Sequence, residues 1–229
     1  WDGAIVRQSQ RTHLYESALA SLRERGLVYD CGCSRAELRS FASAPVGREP
    51  VYPGFCREGL RAGRSARAVR FRVPEETVRF CDAVAGEIEE RLPQDAGDFV
   101  VRRADGLFAY QLAVVVDDGD QGVTEVVRGA DLLASTARQI ALQRALGISE
   151  PAYAHLPLIV NADGAKLGKR DGALPLPSLD ESRVSETLAI ALRILGIGQP
   201  EPAAPRTMLE EALRTFDPTR IPPGPVAIS

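Results

Sequence analysis

A strand-to-helix pattern runs through Val123-Thr-Glu-Val-Val-Arg-Gly-Ala-Asp-Leu-Leu-Ala-Ser-Thr-Ala-Arg-Gln-Ile-Ala-Leu-Gln-Arg-Ala-Leu-Gly147. β-branched residues dominate its first five positions, 123–127, and they predict a buried strand. Residues 132–146 predict a helix, and Gly147 ends it because glycine readily takes the left-handed conformation found after helices. A strand followed directly by a helix is the building unit of α/β proteins.

The same alternation continues on both sides of this unit. Apolar residues at helical spacing predict further helices at 10–25, 182–195 and 207–216. Residues 68–73 alternate between apolar and arginine side chains and predict a half-exposed strand, and residues 99–101 predict another. The apolar run 107–116 fits either a buried strand or a buried helix. We therefore expect an α/β core, with residues 29–62 as an irregular insertion.

The chain has 229 residues, a formal net charge of −3 and a hydrophobic fraction of 45%. It can bury one sizeable core or two modest ones. No apolar run is long enough to span a membrane and the N-terminus does not resemble a signal peptide, so we expect a cytoplasmic protein without a membrane partner. The net charge argues against bulk electrostatic capture of nucleic acid. A local basic face for RNA or, more simply, a solvated surface is predicted for the arginines at 57, 61, 64, 67, 70 and 72.

Three cysteines fall in the irregular segment: Cys31, Cys33 and Cys56. Thiolates separated by one residue can share a metal ion if Gly32 lets the backbone fold around it, whereas a disulfide between them would be strained. A tetrahedral zinc ion needs a fourth ligand, for which Tyr52 and Cys81 are candidates. Chemistry alone favours Cys81, because phenolate is a rare zinc ligand. The alternative is that the cysteines are small buried hydrophobes.

The only two lysines, Lys166 and Lys169, lie three residues apart in a chain with 28 basic residues. Their segment, 161–170, is punctuated by glycine and holds three cations. An ammonium group is a compact point charge that suits a phosphate, so we interpret the segment as a phosphate-handling loop. A solvated surface turn is the alternative.

Two more polar residues, Tyr110 and Arg128, are candidates for ligand binding. Arg128 follows the predicted strand, and ligands bind at strand ends in α/β sheets. Its guanidinium suits a carboxylate or phosphate, and the Tyr110 hydroxyl could contact the same ligand. An Arg128–Asp131 pair and a half-buried tyrosine are the simpler alternative. No catalytic role is assigned to the two histidines, His13 and His155.

Several segments together resemble one family in their order and spacing. They are Cys31-Gly-Cys33, Tyr52-Pro-Gly-Phe-Cys56, Asp105 to Asp118, Gln121 to Asp131, His155-Leu-Pro-Leu158 and Lys166-Leu-Gly-Lys-Arg170. The family is that of the glutamyl-Q tRNA(Asp) synthetases, which are shortened paralogues of the class I glutamyl-tRNA synthetases. The resemblance extends from Gln8 to about Leu176.

The resemblance implies a Rossmann-type α/β catalytic core whose first part is missing, with an inserted zinc-binding subdomain and a helical C-terminal part. Residues 1–28 would then end the first half of the core, and residues 29–95 would form the insertion. Residues 96–160 would form the second half of the core. Residues 161–229 would carry the lysine loop and the C-terminal helices.

The resemblance also implies site residues. The family holds one structural zinc ion with three cysteines and a tyrosine, which correspond to Cys31, Cys33, Tyr52 and Cys56. This correspondence overrules Cys81 as the fourth ligand. The residues that bind L-glutamate in the family correspond to Tyr110 and Arg128. Lys166 and Lys169 correspond to the catalytic lysine loop (the KMSKS element), in which Lys169 contacts the ATP phosphates.

The implied reaction is the activation of glutamate by ATP, with Mg²⁺ accompanying the nucleotide. The glutamyl group is then transferred to queuosine at the wobble position of tRNA(Asp). Lys169 would neutralise the departing pyrophosphate, and Arg128 would select an acidic amino acid. The implied protein is a monomeric ligase whose partners are tRNA(Asp), L-glutamate and ATP.

Two departures from the family pattern are visible in the sequence. Gly168 stands at a position where the family carries serine, so one hydroxyl is lost while both lysine charges remain. No HIGH-like ATP-binding element precedes Gln8. We therefore expect these 229 residues alone to be inactive, because they would lack part of the nucleotide site.

Two other functions are compatible with these residues. One is a glutamyl-tRNA synthetase that charges the tRNA 3′ end. It is disfavoured because only residues 171–229 follow the lysine loop and because Val114 stands where those enzymes generally carry asparagine. The other is a catalytically inactive zinc- and RNA-binding module derived from a synthetase.

Overall fold

The computed structural model describes residues 3–40, 51–167, 180–198 and 200–227. The chain divides into two compact units. Unit 1 comprises Trp1–Phe80, Glu89–Thr124 and Ala134–Pro151, and unit 2 comprises Cys81–Ile88, Glu125–Leu133 and Ala152–Ser229. The division into the consecutive segments 1–28, 29–95, 96–160 and 161–229 stays a prediction.

The described residues form six α-helices and nine strands. The helices are α1 (Thr12–Glu24), α2 (Arg35–Ser40), α3 (Tyr110–Asp120), α4 (Leu133–Leu146), α5 (Glu181–Ile194) and α6 (Pro205–Thr215). The strands are β1 (Val28–Cys31), β2 (Ala68–Phe71), β3 (Thr77–Asp82), β4 (Gly86–Arg91), β5 (Phe99–Arg102), β6 (Glu125–Gly129), β7 (Ala152–Leu156), β8 (Ile159–Val160) and β9 (Val226–Ala227). The α/β class predicted from the sequence is confirmed.

An antiparallel sheet in unit 1 places β2 between β1 and β5. Phe71 on β2 lies opposite Val28 on one side and opposite Phe99 on the other. The Phe71 and Phe99 rings pack 5.4 Å apart, and both side chains are buried. The strands predicted at 68–73 and 99–101 are confirmed. The prediction that the first is half-exposed is wrong, because Arg70 is buried as well as Val69 and Phe71.

Helix α1 confirms the helix predicted at 10–25, and it packs against α3 in unit 1. The Tyr15 hydroxyl donates to the buried carboxylate of Asp117 at 2.9 Å. Arg11 Nε donates to the same carboxylate at 2.6 Å, so the buried charge of Asp117 is compensated. The run 107–116, which the sequence leaves undecided, belongs mainly to helix α3.

The sheet that includes β6 has the strand order β4-β3-β7-β6. Strand β7 pairs in parallel with β6 over its whole length, and with β3 where Asp82 lies opposite Tyr153. A strand within 123–127 is therefore confirmed, but the prediction that it is buried is wrong. Val127 is 62% exposed, because β6 is an edge strand of this sheet.

The remaining predicted helices are also confirmed. Helix α4 ends at Leu146, and Gly147 follows it with a φ of +69°, as the sequence predicts. Helices α5 and α6 pack through a small cluster made of Ala189, Leu192, Met208 and Ala212. Among the described helices, none has both the length and the apolar character that a membrane crossing requires.

Candidate active site and metal centre

The structure brings Cys31, Cys33 and Cys56 together in unit 1, with their sulfur atoms all within 4.8 Å of one another. Cys31 and Cys56 are buried and Cys33 is half-buried. The Tyr52 hydroxyl lies 3.5 Å from Cys31 Sγ and 3.4 Å from Cys33 Sγ. Its oxygen also accepts the backbone N–H of Cys56 at 3.0 Å. The four side chains named by the family resemblance therefore converge on one point.

The spacing of these atoms fits a tetrahedral zinc ion. Zn–S bonds of about 2.3 Å in a tetrahedron place the sulfurs about 3.8 Å apart, and Cys33 Sγ lies 3.7 Å from Cys56 Sγ. A disulfide requires about 2.05 Å, so these thiols are not bonded to each other. A zinc ion bound here would cross-link residues 31–33 to residues 52–56.

A buried arginine stands directly behind the cysteine group. Arg70 is 6% exposed, and its Nε donates to Cys31 Sγ at 3.4 Å. Its guanidinium also donates to the Asp98 carbonyl at 2.8 Å and lies 3.8 Å above the centre of the Tyr52 ring. Three thiolates outweigh the charge of one zinc ion, so a cation at this position would stabilise the site if zinc were bound.

The interpretation of the arginines in 57–72 as a solvated surface holds for Arg61, Arg64 and Arg67, whose side chains are exposed. It is wrong for Arg70, which is buried, and only partly right for Arg57, which is half-buried and donates to the Val73 carbonyl at 2.9 Å. Two of the exposed arginines also contact neighbouring side chains: Arg64 pairs with Glu37, and Arg61 lies 4.2 Å from the centre of the Phe55 ring.

The surroundings of Cys81 and Gly32 differ. Cys81 is exposed on β3, beside Glu87, and is not among the described residues that form the sulfur group. This agrees with the family resemblance, which replaces Cys81 by Tyr52. At Gly32 a Cβ would lie 3.0 Å from the Ser65 carbonyl oxygen, so glycine permits a close backbone approach there.

Tyr110 begins helix α3 in unit 1 and is 47% exposed. A cavity of ≈ 440 Å³ opens beside it. Polar groups on its wall include Gln111, whose side chain donates to Ser135 Oγ and accepts from Gln139, both at 3.0 Å. Arg138 also lines the cavity and donates to the Ala96 carbonyl at 3.1 Å. The rest of the wall is largely apolar, so these side chains are among the few polar groups that a ligand in the cavity would meet.

Arg128 lies near the carboxyl end of β6 in unit 2, as expected for a ligand-binding residue of an α/β sheet. It lies opposite His155 in the parallel pair β6–β7. Arg128 Nε donates to His155 Nε2 at 2.9 Å, and its NH2 group reaches the Leu132 carbonyl at 3.4 Å. Its guanidinium carbon is 5.6 Å from the centre of the Tyr153 ring.

His155 has a partner that the sequence did not reveal. Its Nδ1 lies 2.6 Å from Asp82 Oδ2, and both side chains are fully buried. The ring of Tyr153 stacks on it at 6.1 Å. The signal available in the sequence was the position of Asp82, which follows the apolar residues of strand β3 and ends it.

The charge of Asp82 is held by several donors. Asp82 Oδ1 accepts the backbone N–H groups of Val84, Ala85 and His155 at 3.0, 2.8 and 3.1 Å. Burial opposes ionisation, but the hydrogen bonds from the Ala85 backbone and from His155 outweigh it and hold the pKa of Asp82 below its usual value.

The first half of the lysine loop is a hairpin in unit 2. Asn161 Oδ1 accepts the N–H groups of Asp163 and Ala165, at 3.1 and 2.9 Å, and so shapes its turn. Lys166 Nζ pairs with Asp131 Oδ2 at 2.5 Å, and this hydrogen bond lowers the pKa of the Asp131 carboxyl. Lys169 lies outside the described residues, and so does Gly168.

Known proteins similar to this chain are tRNA synthetases. The family model described as tRNA synthetases class I (E and Q), catalytic domain, matches residues 1–204. A glutamyl-Q tRNA(Asp) synthetase of Geobacter sulfurreducens is 52% identical over 97% of this chain and 73% of its own length. A protein of the same name from Thiobacillus denitrificans is 48% identical over 99% of this chain and 75% of its own length.

A solved structure shares the fold of this chain over about half of its own length. It is a glutamate tRNA ligase from Elizabethkingia meningosepticum, with a TM-score of 0.74 and 21% identity. It aligns with 100% of this chain, which spans 52% of that structure. With the family model and the curated relatives, these findings show that the chain belongs to the class I (E and Q) tRNA synthetases, in the glutamyl-Q tRNA(Asp) synthetase family.

Proposed function

We propose that this protein activates L-glutamate with ATP and transfers the glutamyl group to queuosine in tRNA(Asp). One observation carries the proposal: relatives named glutamyl-Q tRNA(Asp) synthetase are 48–52% identical to nearly the whole chain. The structural neighbour, at 21% identity, supports the fold alone. It gives no reason to prefer charging of the tRNA 3′ end.

The chemistry assigns a role to each candidate residue. A glutamate carboxylate oxygen attacks the α-phosphorus of ATP, the bond to the β-phosphate breaks, and pyrophosphate leaves. Lys166 and Lys169 neutralise the charge that develops on the leaving group. A hydroxyl of queuosine then attacks the glutamyl carbonyl, and AMP leaves. Mg²⁺ would accompany ATP as its counterion.

Two residues are proposed to bind the amino acid. Arg128 contacts the side-chain carboxylate of glutamate, because a guanidinium at the end of a parallel strand can form two hydrogen bonds to it. Tyr110 offers its hydroxyl to the same substrate. The cavity beside Tyr110, which has room for a small ligand, supports this assignment.

Zinc is proposed to have a structural role. Its ligands would be Cys31, Cys33, Cys56 and the Tyr52 oxygen, whose observed spacing fits a closed tetrahedral site. A closed site leaves no position for a substrate. We also propose that the protein acts as a monomer in the cytoplasm, where its tRNA substrate is made and used.

The acceptor is tested with the protein expressed from its complete reading frame. Radiolabelled glutamate should be transferred to tRNA(Asp) that contains queuosine and not to the same tRNA made without it. Removing the 3′-terminal adenosine should leave the labelling intact. Periodate, which cleaves the cis-diol of queuosine, should abolish it.

The alternative functions give different results in this experiment. Labelling of tRNA without queuosine, and its loss on removal of the terminal adenosine, would indicate charging of the 3′ end. An absence of glutamate-dependent ATP–pyrophosphate exchange would indicate an inactive RNA-binding module.

A further inference from the structure

A buried hydrogen-bonded pair in unit 2, Asp82 and His155, has no role in the reaction as proposed above. Asp82 and His155 have fully buried side chains, with Nδ1 and Oδ2 2.6 Å apart. Three backbone N–H groups donate to Asp82 Oδ1, which favours the ionised carboxylate. An ionised carboxylate can only accept hydrogen bonds, so Oδ2 accepts from His155. The proton between the two residues therefore resides on Nδ1 of His155.

This tautomer fixes what the other side of the imidazole can do. With its proton on Nδ1, a neutral ring carries a lone pair on Nε2. Arg128 Nε donates to that lone pair at 2.9 Å. The chain of contacts therefore runs from carboxylate to imidazole to guanidinium, all at the carboxyl ends of neighbouring parallel strands.

We propose that His155 is a positioning residue, oriented by Asp82, which holds the Arg128 guanidinium in the orientation that binds the substrate carboxylate. The inference rests on the proposed glutamate-binding role of Arg128. Arginine has several rotatable bonds, and a substrate that must first order them binds more weakly. Anchoring Nε on a rigid, buried ring removes much of that ordering from the binding step.

The two hydrogen bonds of His155 can be separated by substitution. In His155→Asn the side-chain amide nitrogen takes the place of Nδ1, so the donor to Asp82 remains and the acceptor for Arg128 is lost. In His155→Gln the side-chain oxygen takes the place of Nε2, so the acceptor for Arg128 remains. His13→Asn changes the other histidine of the chain, which is exposed on α1, and is the matched control.

Glutamate-dependent ATP–pyrophosphate exchange by the protein expressed from its complete reading frame gives a separate KM for glutamate and for ATP. We expect His155→Asn to raise the KM for glutamate about tenfold or more, as the loss of a hydrogen bond to a charged group does. The KM for ATP should stay within about twofold. His155→Gln should recover most of the glutamate affinity, and His13→Asn should match the wild type.

Coupling to Arg128 gives a second readout. In an Arg128→Ala background, His155→Asn should raise the glutamate KM no further, because the group it positions is gone. If His155→Asn folds poorly, Asp82→Asn replaces it. Loss of the carboxylate frees the imidazole to change tautomer, and the glutamate KM should again rise selectively.

Several outcomes would overturn the inference. They are an unchanged glutamate KM in the folded Asn variants, an equal rise in the KM values of glutamate and ATP, or a Gln variant no better than the Asn variant. Failure of the proposed function looks different, because the wild type itself would then show no glutamate-dependent exchange.

Discussion

At the scale of single residues, the buried carboxylate of Asp82 links the pH to the stability of the fold. Its pKa lies below the usual value because hydrogen bonds from the Ala85 backbone and from His155 outweigh the effect of burial. A group whose pKa is lower in the folded state stabilises that state above its unfolded pKa, near 3.9 for aspartate. The stabilisation disappears as the pH falls through the lower, folded pKa.

Asp82→Asn tests this linkage. At neutral pH the free energy of unfolding should fall by about 1–3 kcal/mol, since hydrogen bonds to a buried charge are lost. The difference from the wild type should shrink as the pH falls below about 4, where the unfolded wild-type carboxylate becomes protonated, and should be lost below the lower, folded pKa. His155 faces this carboxylate, and Arg128 faces His155.

Urea unfolding of both proteins between about pH 3 and pH 7 measures the difference directly. Other acidic groups with lowered pKa values, such as Asp131 and Asp217, titrate in both proteins and cancel in the comparison. A difference that stays constant over this range would show that the charge of Asp82 contributes nothing to stability.

At the scale of elements, the segment between β1 and β2 depends on contacts other than an apolar core. Cys31, Cys56, Tyr52 and Tyr29 form a small buried cluster, with Arg70 against it. We expect Cys56→Ser to lose bound zinc and to lower the thermal midpoint by several degrees, because a structural site contributes binding free energy to folding.

Cys81→Ser is the matched control, since Cys81 is exposed and lies apart from the three-cysteine group among the described residues. It should keep one zinc ion per chain and the wild-type midpoint. Elemental analysis and thermal unfolding measure both quantities. Equal zinc content in the two serine variants would rule out the proposed ligand set.

Local elements could be predicted from the sequence to different degrees. Helices α1, α4, α5 and α6 were predictable because their apolar spacing and end residues are local signals. The run 107–116 was not, since it has few polar residues to mark the outward face of a helix. The burial of β6 was overestimated because an edge position depends on strand order, which the composition of a strand does not carry.

The sequence-based prediction of the site missed side-chain pairs between residues that are distant in the chain. His155 and Asp82 are far apart in sequence, and only the parallel pairing of β3 and β7 brings them together. The same topology argument that selected Arg128 at the end of β6 applies to Asp82 at the end of β3. It could not be applied to Asp82 from the sequence, because no strand was predicted at 77–82.

At the scale of the whole molecule, the candidate residues fall in both compact units. The cysteine group, Tyr52 and Tyr110 belong to unit 1, whereas Arg128, His155 and Lys166 belong to unit 2. Each unit is assembled from segments that are separated in the chain. The sequence-based division into consecutive segments therefore could not predict this distribution.

The net charge of −3 also has a consequence for tRNA binding. Such a protein does not attract RNA as a whole, so affinity must come from local cationic contacts to phosphates and from recognition of the acceptor nucleoside. Phosphate contacts are the same for tRNA(Asp) with and without queuosine. Salt should therefore weaken binding of both tRNAs by similar factors.

The ratio of the two affinities should change much less with salt than either affinity does. Filter binding at salt concentrations between about 50 and 200 mM measures both tRNAs, with an unrelated tRNA lacking queuosine as the reference. We expect tRNA(Asp) with queuosine to keep its advantage at the higher concentration. If the advantage vanishes there, the discrimination is electrostatic, and queuosine is not held in a site that recognises its ring and hydroxyl groups.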